Sequence, residues 1–282
     1  DSGCQLPIGT LENQGIYIVP LTITMNNKAY LDFEEISALD VFERMNETGE
    51  IIKTSQPSTG VIQAAVKRII NNGYDHIIAI SIATGLSSTL SGMKLACDMA
   101  QMPVTLIDTK GTANNHRYLI KVAKKLIDDQ KDVTEIENVL TSLIEQSATL
   151  IMTPNLTHLK KGGRITPAVA ILGGMMKIKP ILQIQGEKLD TFSKSRTLSK
   201  ATKIMIEAIQ KDIEERLDPI EKGKNVHICI AYTYDPQPAL ELKEELQQLY
   251  PNSNIICDPL SLSVSCHIGP HALAIAACKK II

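Results

Sequence analysis

Four short clusters of hydroxyl, basic and imidazole side chains punctuate this 282-residue chain, and each is of a kind that can hold an anion. Thr54-Ser55-Gln56-Pro57-Ser58 stands just ahead of a helical pattern, with Ser58 or Thr59 as its N-cap. Taken alone it is equally a plain helix cap. Ala83-Thr84-Gly85-Leu86-Ser87-Ser88-Thr89 follows the apolar run HIIAISI and precedes a second helical pattern. Open α/β sheets bind ligands at the carboxyl ends of their strands, where loop amides and a helix N-terminus favour negative charge. A polar turn of no function would have the same composition.

The third cluster, Leu159-Lys160-Lys161-Gly162-Gly163-Arg164-Ile165, runs into the apolar stretch PAVAILGGMM and then KIKP. Cations beside a small-residue, Met-containing apolar run can hold an anionic head and its tail together; the bland reading is a glycine turn with solvated lysines. The fourth is Cys266-His267-Ile268-Gly269-Pro270. His267 follows an alternating, strand-like pattern, and Gly269-Pro270 forces a turn, so the imidazole is placed to donate a hydrogen bond to a carboxylate. A structural histidine at a strand end reads the same way. The remaining histidines show no ligand spacing.

Ser87, Asp108 and His267 occur in the chain order of an α/β-hydrolase triad. The loop does not fit that chemistry, because Gly85-Leu86-Ser87-Ser88-Thr89 lacks the second glycine of a nucleophile elbow. No Walker-type glycine loop or kinase signature occurs either, so phosphoryl transfer would need ATP and magnesium from a partner.

The elements that must position these clusters alternate. Ile16 to Thr24, His76 to Ile82 and Val104 to Asp108 read as strands, while Val61 to Asn71, Ser88 to Met99, Asn115 to Asp128 and Val133 to Ser147 read as helices. Strands that are apolar throughout and alternate with helices indicate a sheet covered on both faces. From Thr149 the pattern changes. Thr149 to Met152, KIKPILQIQ, NVHICIAYTY and NIICDPLS read as strands, Leu198 to Leu217 and Pro238 to Leu249 as helices. SVSCHIGPHALAIAAC starts as a strand and ends as a helix. The fold class is therefore α/β in two domains: residues 1–149, with a Rossmann-like parallel sheet, and residues 150–282, with a mixed sheet.

Composition excludes several functions. The 29 Lys and Arg against 31 Asp and Glu leave a net charge of -2, with no general attraction for nucleic acid, and any membrane contact is expected to be transient. Six scattered cysteines without Cys-x-x-Cys spacing indicate neither a metal site nor a disulfide framework and suit a cytoplasmic protein. No apolar run approaches the ~20 residues that span a bilayer. With no Trp and only three Phe, cavities should be lined by aliphatic side chains and Met, which suits an alkyl chain. Asp1-Ser2 opens without a preceding strand or Met, and a segment ahead of it is expected.

TSQPS, the strand-following ATGLSST, LKKGGRI, KPIL and HIGP, in this order, resemble the DegV family over essentially the whole chain. Members look like ISISSGLSGT where this chain has Ile80 to Thr89, and typically open with Asp-Ser-Thr where Asp1-Ser2-Gly3 stands. The resemblance implies a protein without a cofactor that binds a long-chain fatty acid between its domains. It is related to the fatty-acid-binding subunit of bacterial fatty acid kinase, in which a separate ATP-binding kinase subunit phosphorylates the acyl carboxylate. It implies that Thr54, Thr84, the Gly85 amide and His267 contact the carboxylate, with Ser55, Ser87 and Arg164 as further candidates and Arg196 engaging the kinase. Ala83 and Ser88 depart from the family pattern in the head-group loop. A lipid sensor that meets no kinase is the alternative.

Overall fold

The computed structural model describes residues 1–172, 178–184 and 188–282. The end of the apolar run, Gly173-Gly174-Met175-Met176, lies outside them, as does Lys177 of KIKP. The elements in chain order are β1 (Thr22–Met25), β2 (Lys28–Leu31), α1 (Ala38–Thr48), β3 (Lys53–Ser55), α2 (Thr59–Asn71), β4 (Ile77–Ser81), α3 (Thr89–Met99), β5 (Val104–Asp108), α4 (Ala113–Asp128), α5 (Val133–Glu145), β6 (Ser147–Met152), α6 (Thr157–Gly162) and α7 (Pro167–Leu172). There follow β7 (Lys179–Gln183), β8 (Asp190–Ser195), α8 (Leu198–Asp212), β9 (Val226–Tyr232), α9 (Gln237–Leu249), β10 (Ile255–Pro259), α10 (Leu262–Ile268) and β11 (Leu273–Lys279).

Local chemistry starts these helices. Ser37 and Asp40 form a reciprocal capping box on α1. Ser58 caps α2 by accepting from the Val61 amide, as its type and position predict, and Asp132 and Thr197 cap α5 and α8 in the same way. The helix predicted to run to Leu217 continues past α8 as a π-helical turn, Ile213–Leu217.

Among the described residues three sheets form. β2-β1-β3 is a small antiparallel sheet, β4 and β5 pair in parallel, and the order β10-β9-β11-β6-β7-β8 makes a six-stranded mixed sheet in which β10 and β9 run parallel and the other described neighbours antiparallel. The protein is therefore α/β with a parallel and a mixed sheet. One face of the mixed sheet packs against Met205, Ile209, Leu242 and Leu246 of α8 and α9. The other face packs, through Ile151, Leu182 and Ala274, against Leu159, Val169, Val264 and Ile268 of α6, α7 and α10. Burying each such side chain is worth roughly 1.5–3 kcal/mol, so both faces hold the sheet in place.

Two expectations are corrected. Of Ile16 to Thr24 only the end, from Thr22, lies in a strand, Thr22–Met25, which joins the antiparallel sheet. Pro20, in the middle of the run, has no amide to give a ladder. The last segment is inverted: Leu262–Ile268 is helix and Leu273–Lys279 is strand.

Candidate functional site

A cavity of about 570 Å³, counting the space open to solvent at its mouth, lies where five separate segments meet. Thr54, Ser55 and Gln56 enter from β3 and the turn after it, Leu86 and Ser87 from the turn after β4, and Thr112 from the turn after β5. Arg164 comes from the loop after α6, and Ser263, Val264, His267 and Ile268 from α10. Leu21, Ile82, Ile151, Leu159, Ile184 and Leu189 complete aliphatic walls. Among the described residues the polar groups thus meet a lining without Phe, Tyr or Trp, in line with the composition.

The fold places His267 on α10, a helix that Gly269, at φ 83°, brings to an end, and not at the strand end its alternating neighbours suggest. Its Nε2 lies 2.5 Å from Oγ1 of Thr54, a bond across 213 residues that ties α10 to β3. On the other side the ring rests on Gly162, where an added Cβ would meet Nδ1 at 2.6 Å. Burial, with lesser contributions from the Arg164 and His158 charges, pushes the His267 pKa down to about 4. The imidazole is therefore neutral at pH 7, so one ring nitrogen is a donor and the other an acceptor.

Arg164 supplies the positive charge that His267 lacks. Its guanidinium is half-buried and donates to two main-chain carbonyls, Leu86 O at 3.2 Å from Nε and Gly162 O at 2.5 Å from Nη1. Among the described residues no carboxylate lies within ion-pair distance of it. Burial lowers its pKa, but a guanidinium stays charged at any working pH. A partly desolvated cation anchored by carbonyls retains N–H donors for an incoming anion.

The loop after β4 divides its hydroxyls. Ser87 lines the cavity and exchanges a 2.8 Å hydrogen bond with Thr89. Thr84 is exposed; its hydroxyl donates to Asp108 Oδ2 at 2.5 Å and its amide donates to Oδ1 at 3.2 Å. Neither Thr84 nor Gly85 is among the cavity-lining residues. The parallel register, which sets Ser81 opposite Asp108, brings that carboxylate beneath the loop. Ser55 lines the cavity although it is exposed, and Arg196 is an exposed residue between β8 and α8.

Ser87, Asp108 and His267 each bond to a different partner, Thr89, Thr84 and Thr54, so no relay joins them in this structure. Gln56, Thr112 and Ser263 were missed as lining residues. Thr112 follows the strand end Asp108 closely enough for the strand-end rule to have marked it, whereas Ser263 sits in a helix that its alternating neighbours disguise as a strand. Among the described residues no group of three His, Cys, Asp or Glu side chains is arranged to hold a metal ion. No described helix is long and apolar enough to cross a membrane.

The model of uncharacterised proteins of the DegV family matches residues 1–280. The chain belongs to the DegV family. A DegV domain-containing protein of Staphylococcus aureus strain N315 is 28% identical over 280 residues, covering 99% of this chain and 97% of its own. Protein DegV of Bacillus subtilis strain 168 is 26% identical over 284 residues, covering 99% and 98%. Among solved structures, a DegV-family protein from Thermus thermophilus described for its fatty acid binding superposes with a TM-score of 0.89 at 25% identity, covering 99% of this chain and 97% of that one. DegV from Bacillus subtilis, described as a fatty acid binding protein, superposes with a TM-score of 0.86 at 25% identity over the same shares. DegV architecture, with its two α/β domains, accounts for the whole described chain.

Proposed function

We propose that this DegV-family chain binds a long-chain fatty acid in the cavity between residues 1–149 and 150–282 and presents its carboxylate to a separate ATP-dependent kinase subunit in the cytoplasm. The observation that carries the reading is the division within one cavity: Thr54, Ser87, Arg164 and His267 offer donors, while Ile82, Ile151, Leu159, Ile184 and Leu189 offer only aliphatic surface. The fatty acid binding named for the Thermus and Bacillus relatives supports the same ligand class.

Affinity comes from the tail. Each buried methylene is worth about 0.8 kcal/mol, so a dozen give roughly 10 kcal/mol before ordering costs. The head-group bonds largely replace those lost to water and mainly fix orientation. Thr54 and His267 satisfy each other without ligand, so a carboxylate entering here exchanges that bond for its own. Arg164 sets the preference for an acid over a neutral lipid, while Thr84, bonded to Asp108, and Gly85 precede the lining residues Leu86 and Ser87 in the same turn and reach the carboxylate only if that turn shifts when the ligand binds. An oxygen held there is a nucleophile awaiting a phosphoryl donor, and in-line placement supplies much of what such a transfer requires. Arg196, exposed beyond β8, is the docking residue for the kinase.

Native mass spectrometry of the purified protein tests the ligand class: a bound fatty acid is expected, and a lipid-free protein that also fails to take up oleate after delipidation refutes it. ATP-dependent acyl phosphate formation with a fatty acid kinase subunit tests the second half. Loss of product with Arg196→Ala at unchanged oleate binding is expected; unchanged turnover removes Arg196 from the interface.

A further inference from the structure

Asp32, the residue after β2, is completely buried, and no cation offsets it. Its amide donates at 2.9 Å to the carbonyl of Leu21, which lines the cavity. Ser2 closes a ring with these two residues. Its hydroxyl accepts from the Leu21 amide at 3.0 Å and donates to Asp32 Oδ2 at 2.8 Å. Among the described residues no Lys, Arg or His lies within ion-pair distance of the carboxyl group. The second oxygen, Oδ1, is buried and has no hydrogen-bond partner among them. An acceptor left in that state is costly, so its occurrence beside a ligand cavity asks for a reason.

Ser263 links this group to the cavity. It is itself buried, it lines the cavity from α10, and its hydroxyl faces the Asp32 carboxyl group. Its contact with the Ser261 hydroxyl is long, at 3.4 Å, so that bond holds it weakly. The ionisable group that α10 turns toward Asp32 is the Cys266 thiol, which burial keeps protonated. The Asp1 carboxylate is engaged by the Gly3 and Ile82 amides, while Arg164 and His267 bond to main-chain carbonyls and to Thr54. Burial raises the Asp32 pKa, and the donors from Ser263 and Ser2 oppose that shift without cancelling it. An ionised Asp32 would also repel an anionic head group, because like charges that share a site disfavour each other.

A proton on Oδ1 resolves both difficulties. Oδ2 goes on accepting from Ser2, the orphaned oxygen becomes a donor to Ser263 Oγ, and the Ser263 hydroxyl is left to donate into the cavity. Building on the fatty acid reading, we propose that Asp32 is a positioning residue that serves as a neutral carboxylic acid when lipid is bound, turning the Ser263 hydroxyl toward the ligand carboxylate. Asp32 itself does not touch the lipid. Ser263 joins Thr54, Ser87, Arg164 and His267 as a head-group donor.

The test is oleate titration at pH 7 with wild type, Asp32→Leu, Asp32→Asn and Ser263→Ala, the fold of each verified by its Tm. Asp32→Leu and Ser263→Ala should each weaken binding by about tenfold or more. Asp32→Asn should restore most of the Asp32→Leu loss, because an amide offers Ser2 an oxygen and Ser263 an N–H, as the neutral acid does. With oleate isotope-labelled at its own carboxyl, the infrared difference between the wild-type and Asp32→Asn complexes should show the C=O band of a protonated side chain. An Asp32→Asn loss as deep as that of Asp32→Leu, without that band, would make Asp32 an anion and overturn the proposal. So would undiminished binding by Asp32→Leu and Ser263→Ala. Failure of the wild type to take up oleate would instead overturn the fatty acid reading on which the proposal stands.

Discussion

Nδ1 of His267 lies 2.6 Å from the point where a side chain on Gly162 would begin, so the imidazole occupies space that only glycine leaves free. The same ring holds Thr54 through Nε2. The Gly162 carbonyl also accepts from Arg164, which makes this one glycine a seat for both basic groups of the site.

Gly162→Ala should therefore displace the ring and weaken fatty acid binding by about tenfold to a hundredfold, with a modest fall in Tm, because overpacking costs typically 1–3 kcal/mol. Isothermal titration with oleate, alongside thermal unfolding, checks this. Binding unchanged from wild type would place the ring outside the head-group contacts.

The Thr54–His267 bond predicts coupling. Thr54→Ala leaves a largely buried imidazole nitrogen without its partner, at a cost of about 1–3 kcal/mol, while Thr54→Ser keeps the hydroxyl. In a double-mutant cycle with His267→Phe, the stability effects of Thr54→Ala and His267→Phe should be non-additive by at least about 0.5 kcal/mol. Urea denaturation of the four proteins measures it, and strict additivity argues that the bond contributes nothing.

Arg164→Met preserves the stem and removes the charge. It should weaken binding of a long-chain acid by roughly tenfold or more while leaving the matching fatty alcohol nearly unaffected, because hydrogen bonds to charged groups are worth about 1.5–3 kcal/mol. Equal losses for acid and alcohol would mean that Arg164 only packs.

Acid should destabilise the ligand-free protein. The His267 pKa is lowered to about 4 in the folded state, against an ordinary value near 6.5, so between these values the unfolded chain binds more protons and stability falls as pH is lowered. The full effect is on the order of 3 kcal/mol for this residue. His227, also at about 4 through burial, acts in the same direction. Chemical denaturation at pH 7 and pH 4.5 should show the loss, with His267→Gln reducing the difference. A carboxylate beside the ring favours its protonated form, so oleate binding should take up protons below about pH 6. Calorimetry in buffers of different ionisation heat reads that uptake directly.

Much of this architecture was legible locally. β5 and α2 fall where apolar runs and a Ser cap place them. The inverted carboxyl-terminal segment shows where local signals mislead. Val264, Cys266 and Ile268 alternate with polar residues as a strand would, yet they lie on a seven-residue helix buried nearly all round, where both periodicities look alike. Leu273 to Cys278 is rich in Ala, a strong helix former, yet it forms the strand between β9 and β6, with α4 and α8 packed against it. Small side chains let those helices approach, and tertiary burial outweighs propensity. In the site, Thr54, Ser87, Arg164 and His267 were identifiable by type. The Thr84–Asp108 pair was not, because only strand register brings the two together.

Since the cavity draws on residues from Leu21 to Ile268, its ligand can recognise only a chain whose distant parts have already docked. A tail filling it fastens β3, the strand-end turns, α6 and α10 at once, so occupancy adds to the cooperativity of the whole molecule instead of stiffening one loop. The folded population should then report the free fatty acid concentration, the free energy of unfolding rising by RT ln(1 + [L]/Kd) as the supply of lipid increases.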